Sequence, residues 1–246
     1  KEWKTFQRIA DALARLYQIS DMKTNFTEII TWFNMPDPIA RQFGIYIIEV
    51  LCDLEALTDD VITGSIEDFK QMFSKGIQDN DGKVKVSSFK ATTQFLINIK
   101  DEKNVLQFSA LIEIILQNLA PLIQQGEDSV LESLNYLTDT HPKFWKEKIE
   151  MLIEVICKIG SDKSIKSTMR SSSLELIYSL SKKIPAILRK SNNFLNMFIP
   201  MMFQLLLEID NENSLPQWEK MVEEDESDLE NMFYIIKRGF ERLSRD

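Results

Sequence analysis

The stretch Pro36-Asp37-Pro38-Ile39-Ala40-Arg41-Gln42-Phe43-Gly44-Ile45-Tyr46-Ile47-Ile48-Glu49-Val50-Leu51 decides the fold. Its prolines end one helix, because proline lacks an amide donor and disfavours helical backbone in the residue before it. The remainder starts another helix. Phe43, Ile47, Val50, Leu51 and Leu54 recur at i, i+4, i+7, i+8 and i+11, the stripe of a helix that buries one face. Upstream, Phe26, Ile29, Ile30 and Phe33 mark the preceding helix, with Asn25 and Glu28 as the expected capping pair at its start. The unit is therefore helix, tight acidic turn, helix.

That unit recurs. The turns read Pro36-Asp37-Pro38, Asp79-Asn80-Asp81-Gly82, Gly126-Glu127-Asp128, Gly160-Ser161-Asp162 and Glu208-Ile209-Asp210, and their acids lie 44, 47, 34 and 48 residues apart. Paired helices at such a period predict an all-α, right-handed α-α superhelix, a solenoid of the HEAT or armadillo type. About five helix pairs are expected, at 21–57, 64–100, 102–141, 143–183 and 185–246, in a single solenoid over 1–246. The second pair begins near Ser65. A first helix over about 1–19 (Trp3, Phe6, Ile9, Ala10, Leu13, Leu16, Tyr17) reads as the second helix of a further repeat. Solenoids mostly present binding surfaces, which already points away from catalysis.

Composition agrees. The 246 residues are 44% hydrophobic and 27% charged, with only seven Gly and seven Pro, ordinary for a folded protein and low for a β-rich one. Alternating strand patterns are not evident. The most apolar stretch, Phe194 to Ile209, is broken by Pro200 and Gln204, so membrane insertion is not expected. No signal-peptide pattern is present, and the opening on Lys1 inside a helical pattern reads as an excised piece of a longer protein. Cys52 and Cys157 sit in apolar helical patterns and are expected as buried reduced thiols of a cytosolic or nuclear protein.

The net charge of −9 is unevenly spread. Residues 211–230 hold Glu212, Glu219, Glu223, Glu224, Asp225, Glu226, Asp228 and Glu230 against Lys220 alone, a balance of −7. The acidic insertion proper, 211–228, interrupts the fifth pair where the others have short turns. A local acidic block points to a solvated loop or to a basic partner.

The turn-plus-helix segment from Asp37 through Arg41 to Ile48 resembles a HEAT repeat. The C-terminal half is more specific. Glu127-Asp-Ser-Val-Leu-Glu-Ser-Leu134, Asp139-Thr-His-Pro142-Lys143, Gly160-Ser-Asp162 with Met169-Arg170, Ser173-Leu-Glu-Leu176, Ile187-Leu-Arg-Lys190 and Ile199-Pro-Met-Met202 resemble the middle of karyopherin-β3-type nuclear import receptors, within the karyopherin-β (importin-β) family. The acidic segment with Trp218 follows as it does in that family. The ordered run covers roughly 80–230. The resemblance implies a nuclear import receptor, shuttling between cytoplasm and nucleus, whose partners are cargo proteins with localisation signals, FG-repeat nucleoporins and the Ran GTPase in its GTP state. A scaffold subunit of a phosphatase or other regulatory complex, or an accessory solenoid of a large kinase or ligase, are the alternatives.

Candidate partner-binding residues fall into two groups. Glu223, Glu224, Asp225, Glu226, Asp228 and Trp218 lie in the acidic insertion, where exposed carboxylates attract Ran or basic cargo. Glu132, Asn135, Asp139 and Glu175 lie on or near the less apolar sides of their helices; in a solenoid the second helices commonly line the concave surface, which would place these residues to grip Lys or Arg of a cargo peptide. Phe69, Phe73, Phe89, Phe95 and Phe108 read as core rather than as grooves for FG side chains. Trp3, Trp32 and Trp145 read as packing, and His141 as a surface or capping residue at a helix end. One His and two distant Cys make no metal set, and no cofactor is expected. Gly-rich phosphate loop, nucleophile elbow and HExxH pair are all missing from the sequence, so an enzyme is not expected. No basic block with interleaved aromatics points to nucleic acid. The chain is expected to be monomeric.

Overall fold

The computed structural model of the protein describes residues 2–20, 22–206 and 232–243. Every regular element among them is helical. The chain divides into two compact units, Lys1–Leu122 and Ile123–Asp246. No described helix is long and apolar enough to cross a membrane.

The first unit contains α1 (Glu2–Gln18), α2 (Met22–Phe33), α3 (Pro38–Asp53), α4 (Asp59–Gly64), α5 (Ile66–Ile77), α6 (Gly82–Asn98), α7 (Glu102–Leu106) and α8, which begins at Leu111 and ends at Gln124. Helix α2 pairs with α3 and α5 with α6, while α1, α3 and α6 stack side by side. This is the repeat arrangement: first helices in one layer, second helices in another, α1 taking a second-helix place. The acidic turns work as the sequence implies. Asp37 accepts from the Ile39 amide at 3.0 Å and Asp81 from Lys83 and Val84 at 2.9 and 3.1 Å, capping α3 and α6. The first repeats are joined across their turns by Arg41, whose Nε and Nη2 meet both oxygens of Asp79 at 2.8 and 2.9 Å. Inside, Phe26, Phe69, Phe95 and Phe108 form a contiguous aromatic row, with centroids 4.3, 4.5 and 5.2 Å apart. Phe69, Phe73, Phe89, Phe95 and Phe108 are all buried, as core residues should be.

One local expectation needs correction here. Helix α2 begins at Met22, so Asn25 lies inside it rather than capping it. Glu28 instead accepts from the Tyr17 hydroxyl at 2.7 Å, tying α2 to α1. The second pair begins where expected, α5 starting at Ile66 just after Ser65, with the short α4 running directly into it.

The second unit contains α9 (Ser129–Thr140), a tight helical turn at Pro142–Lys148, α10 (Ile149–Ser161), α11 (Ser167–Lys183), α12 (Pro185–Leu188), a wide helical turn at Phe194–Phe198, α13 (Ile199–Leu206) and α14 (Met232–Leu243). Helix α10 pairs with α11 and α13 with α14, while α9, α11 and α14 stack. Arg170, in the first turns of α11, is buried and donates to the Gly160 carbonyl at 2.7 Å. Glu150 holds the chain entering α13 by accepting from the amides of Asn192 and Asn193 at 3.0 and 2.9 Å. His141 ends α9 as expected but is buried, not on the surface. The Pro142 turn folds Phe144 and Trp145 inward and carries His141 with them, and Trp145 Nε1 donates to Thr138 Oγ1 at 3.0 Å. Cys52 and Cys157 are free and buried. Burial pushes the Cys157 thiol up to about 12, with Glu154 adding to the effect, and drives Cys52 up as well. Both stay protonated and act as small apolar groups.

Candidate functional site

Within each unit the second helices stack side by side, and polar side chains join each to its neighbour. In the first unit α3 and α6 are joined by Gln42 Nε2 donating to Ser87 Oγ at 3.0 Å and Gln94 Nε2 donating to Asp53 Oδ1 at 3.2 Å. Glu49 and Asp53, one turn apart on α3, share this strip with Lys90 of α6 and Asp11 of α1. Burial raises the Glu49 carboxyl above its ordinary range, Lys90 opposes that, and Asp53 adds to it. Asp53 is likewise raised by burial and by Asp11. Acids crowded beside one another hold their charge less readily and gain from a cation nearby.

In the second unit the equivalent strip runs over α9, α11 and α14. Asn135 Nδ2 donates to the Ser172 carbonyl at 3.2 Å, and the Ser179 hydroxyl donates to Asp139. Glu175 accepts from Arg242 Nη1 at 2.7 Å, and the same guanidinium lies over the Tyr178 ring, 5.9 Å from its centroid. Gly239 allows this close docking: a Cβ there would strike the Tyr178 ring. Burial pushes the Tyr178 phenol up, Glu175 adds to this and Arg242 reduces it.

The four second-helix candidates thus lie on one strip, in different states. Glu132 is exposed on α9, Asp139 is exposed and accepts from Ser179 of α11, Asn135 bridges α9 to α11, and Glu175 holds an arginine of the chain itself. Trp218, Glu223, Glu224, Asp225, Glu226 and Asp228 lie outside the described residues. Sequence reasoning passed over Gln42, Glu49, Asp53, Lys90 and Gln94. Their signal was present as polar positions at 42, 49 and 53 along one side of α3 and at 90 and 94 on α6, but nothing local distinguishes those rows from ordinary helix surface. Sequence reasoning also passed over Arg242, since its partner is 67 residues away. Among the described residues, no group of His, Cys, Asp or Glu is placed to hold a metal ion.

Chemically, each strip offers carboxylates, amides and hydroxyls at helical spacing, suited to an extended peptide with basic side chains. The family described as "IPO5-like, TPR repeats" matches residues 6–155, and "Importin repeat" matches 162–245. Importin subunit beta-3 of Saccharomyces cerevisiae is 23% identical over 165 residues, which is 65% of this chain and 15% of that protein. Kap121p bound to Pho4p superposes with a TM-score of 0.79 at 18% identity, covering 97% of this chain and 23% of that one. Kap121p bound to Nup53p gives the same TM-score, identity and coverage. The karyopherin Kap121p bound to the SUMO protease Ulp1p superposes with a TM-score of 0.78, at 18% identity and with the same coverage. The chain therefore spans less than a quarter of the length of these relatives, while the superpositions show the all-α HEAT-repeat solenoid fold. With most of its residues matched to importin repeats, the chain belongs to the IPO5-like group of the karyopherin-β (importin-β) family.

Proposed function

We propose that this chain is part of a nuclear import receptor and binds cargo proteins through basic localisation signals. The observation that carries the reading is the polar strip of the second-helix layer, present in both units and holding Glu49, Asp53, Glu132 and Asp139 at helical spacing. Lysines and arginines of a signal peptide meet these carboxylates in charge-assisted hydrogen bonds, while Gln42 and Gln94, whose amide nitrogens donate to Ser87 and Asp53, offer their amide oxygens to its backbone. Support comes from the family and from relatives solved with bound proteins, Pho4p and Ulp1p among them. The role is one of binding rather than catalysis.

In the full-length receptor, Ran in its GTP state discharges cargo, and FG-repeat nucleoporins carry the complex through the pore between cytoplasm and nucleus. Kap121p bound to Nup53p supports the nucleoporin part by analogy. Cargo and Ran are linked through a coupling free energy, each weakening the other by the same factor. The acidic insertion 211–228 is a second contact for a basic partner, carried by Trp218, Glu223, Glu224, Asp225, Glu226 and Asp228. The test is made on the full-length receptor with immobilised signal-bearing cargo. Ran-GTP is expected to release cargo and Ran-GDP to leave it bound. Failure of both nucleotide forms to displace cargo would overturn the assignment.

A further inference from the structure

The second unit contains its own example of how this surface holds a cation. Glu175 and Tyr178 stand one turn apart on α11, and Arg242 of α14 lies between them, bonded to the carboxylate at 2.7 Å and 5.9 Å from the ring centroid. The neighbouring helix α9 repeats the side-chain set without the cation. Tyr136 is 72% exposed, with Glu132 one turn before it and Asp139 one turn after, both also exposed, Asp139 accepting from the Ser179 hydroxyl through one oxygen. On an α-helix, residues three and four apart lie on one ridge, so the three form a continuous row of carboxylate, aromatic ring and carboxylate. Leu131, Leu134, Leu137 and Thr138 are buried on the opposite side of α9, which fixes the ridge outward. A large ring left this open contributes nothing to the core.

Resting on the reading above, we infer that Tyr136 is a platform for a cargo lysine, whose stem lies along the ring while its ammonium sits between Glu132 and Asp139. A tyrosine suits this use, offering a broad apolar face at small cost in conformational freedom together with a negative ring face toward a cation. Charge selects the occupant: the row is acidic at both ends, and a hydrophobic side chain there would strand two carboxylates. Glu175 is not part of this subsite, because Arg242 already fills it. The binding strip of this unit is thereby confined to α9 and its junction with α11.

The test uses the 246-residue chain and a fluorescein-labelled Gly/Ser peptide carrying three lysines, with a glutamine counterpart as control. Anisotropy at low salt is expected to show binding of the lysine peptide, weakened about threefold to tenfold by Tyr136→Ala and within about twofold of wild type in Tyr136→Phe. Tyr136 is exposed, so far-UV circular dichroism and the melting midpoint should match the wild type in both variants. If the wild type fails to bind the lysine peptide, the functional reading falls and this inference with it. If the wild type binds and Tyr136→Ala is unchanged, the inference alone is overturned. It is equally overturned if Tyr136→Ala weakens the glutamine peptide as much, or if a Phe-Gly peptide, rather than the lysine peptide, is the one that depends on Tyr136.

Discussion

The Arg41–Asp79 pair offers a quantitative test of how adjacent repeats are held. Their side chains are only 16% and 8% exposed, and the contact is bidentate at 2.8 and 2.9 Å. Arg41 Nη1 also donates to the Pro36 carbonyl at 2.6 Å, and Asp79 Oδ1 accepts from the Asp81 amide at 2.8 Å. Each group therefore closes its own turn as well as the junction. Asp79→Ala strands two guanidinium donors in a largely enclosed site and frees the Asp81 amide, a loss of about 2–3 kcal/mol in the first unit. With a urea m-value of about 2 kcal/mol/M, the midpoint falls by about 1 M. Arg41→Ala should cost a similar amount, and the double variant less than the sum, with a coupling of at least about 1 kcal/mol. The assay is equilibrium urea unfolding followed by circular dichroism and by tryptophan fluorescence, Trp3 and Trp32 reporting on this unit. Acid provides a second axis. Burial works against the ionised Asp79, but hydrogen bonds from Arg41 and the Asp81 amide outweigh it and hold the carboxyl below its ordinary range. A depressed folded-state pKa stabilises above the unfolded value, near 4, and that contribution disappears as pH falls through the folded value. The wild type should thus lose stability below about pH 4 more steeply than Asp79→Ala. Strictly additive losses in the cycle, or parallel acid profiles, would refute the reasoning.

Three further outcomes are expected. Gly239→Ala forces a Cβ against the buried Tyr178 ring, so α14 should loosen from α11 at a cost of about 1–3 kcal/mol, seen as faster amide exchange in residues 232–243. Glu150→Ala removes the acceptor for the Asn192 and Asn193 amides and should lower the stability of the second unit by about 1–2 kcal/mol in the same urea assay. Replacing Glu223, Glu224, Asp225 and Glu226 with Gln should leave the circular dichroism spectrum unchanged and weaken a basic partner mainly at low ionic strength. Unchanged affinity there would remove the segment from the binding account.

The helix pairs were legible because their cause is local. Phe43, Ile47, Val50, Leu51 and Leu54 form one stripe whatever the rest of the chain does, and Asp37-Pro38 or Asp81-Gly82 start a helix by capping and backbone preference alone. Where the reading slipped, at the Asn25 cap and in the exposure of His141, a contact from another element or a neighbouring turn decided the matter. Glu28 had its Tyr17 partner, and the Pro142 turn drew His141 inside. Of the candidate site, the α9 and α11 residues share a strip, yet their availability could not be inferred. Glu175 is occupied by Arg242, and Asn135 is spent on a carbonyl of the next helix.

By itself, the sequence determined an all-α repeat of paired helices, the capped turns at Asp37 and Asp81, the aromatic core and the kinship to importin repeats. These follow from periodicities and motifs that act within one helix or one turn. The tertiary structure alone decided which polar residues meet. Arg41 finds Asp79 at a separation of 38 residues, and Arg242 finds Glu175 at 67, because the stacking register of neighbouring helices brings them together. That register is set by the shapes of buried side chains on several elements at once, and no single stretch of sequence carries it.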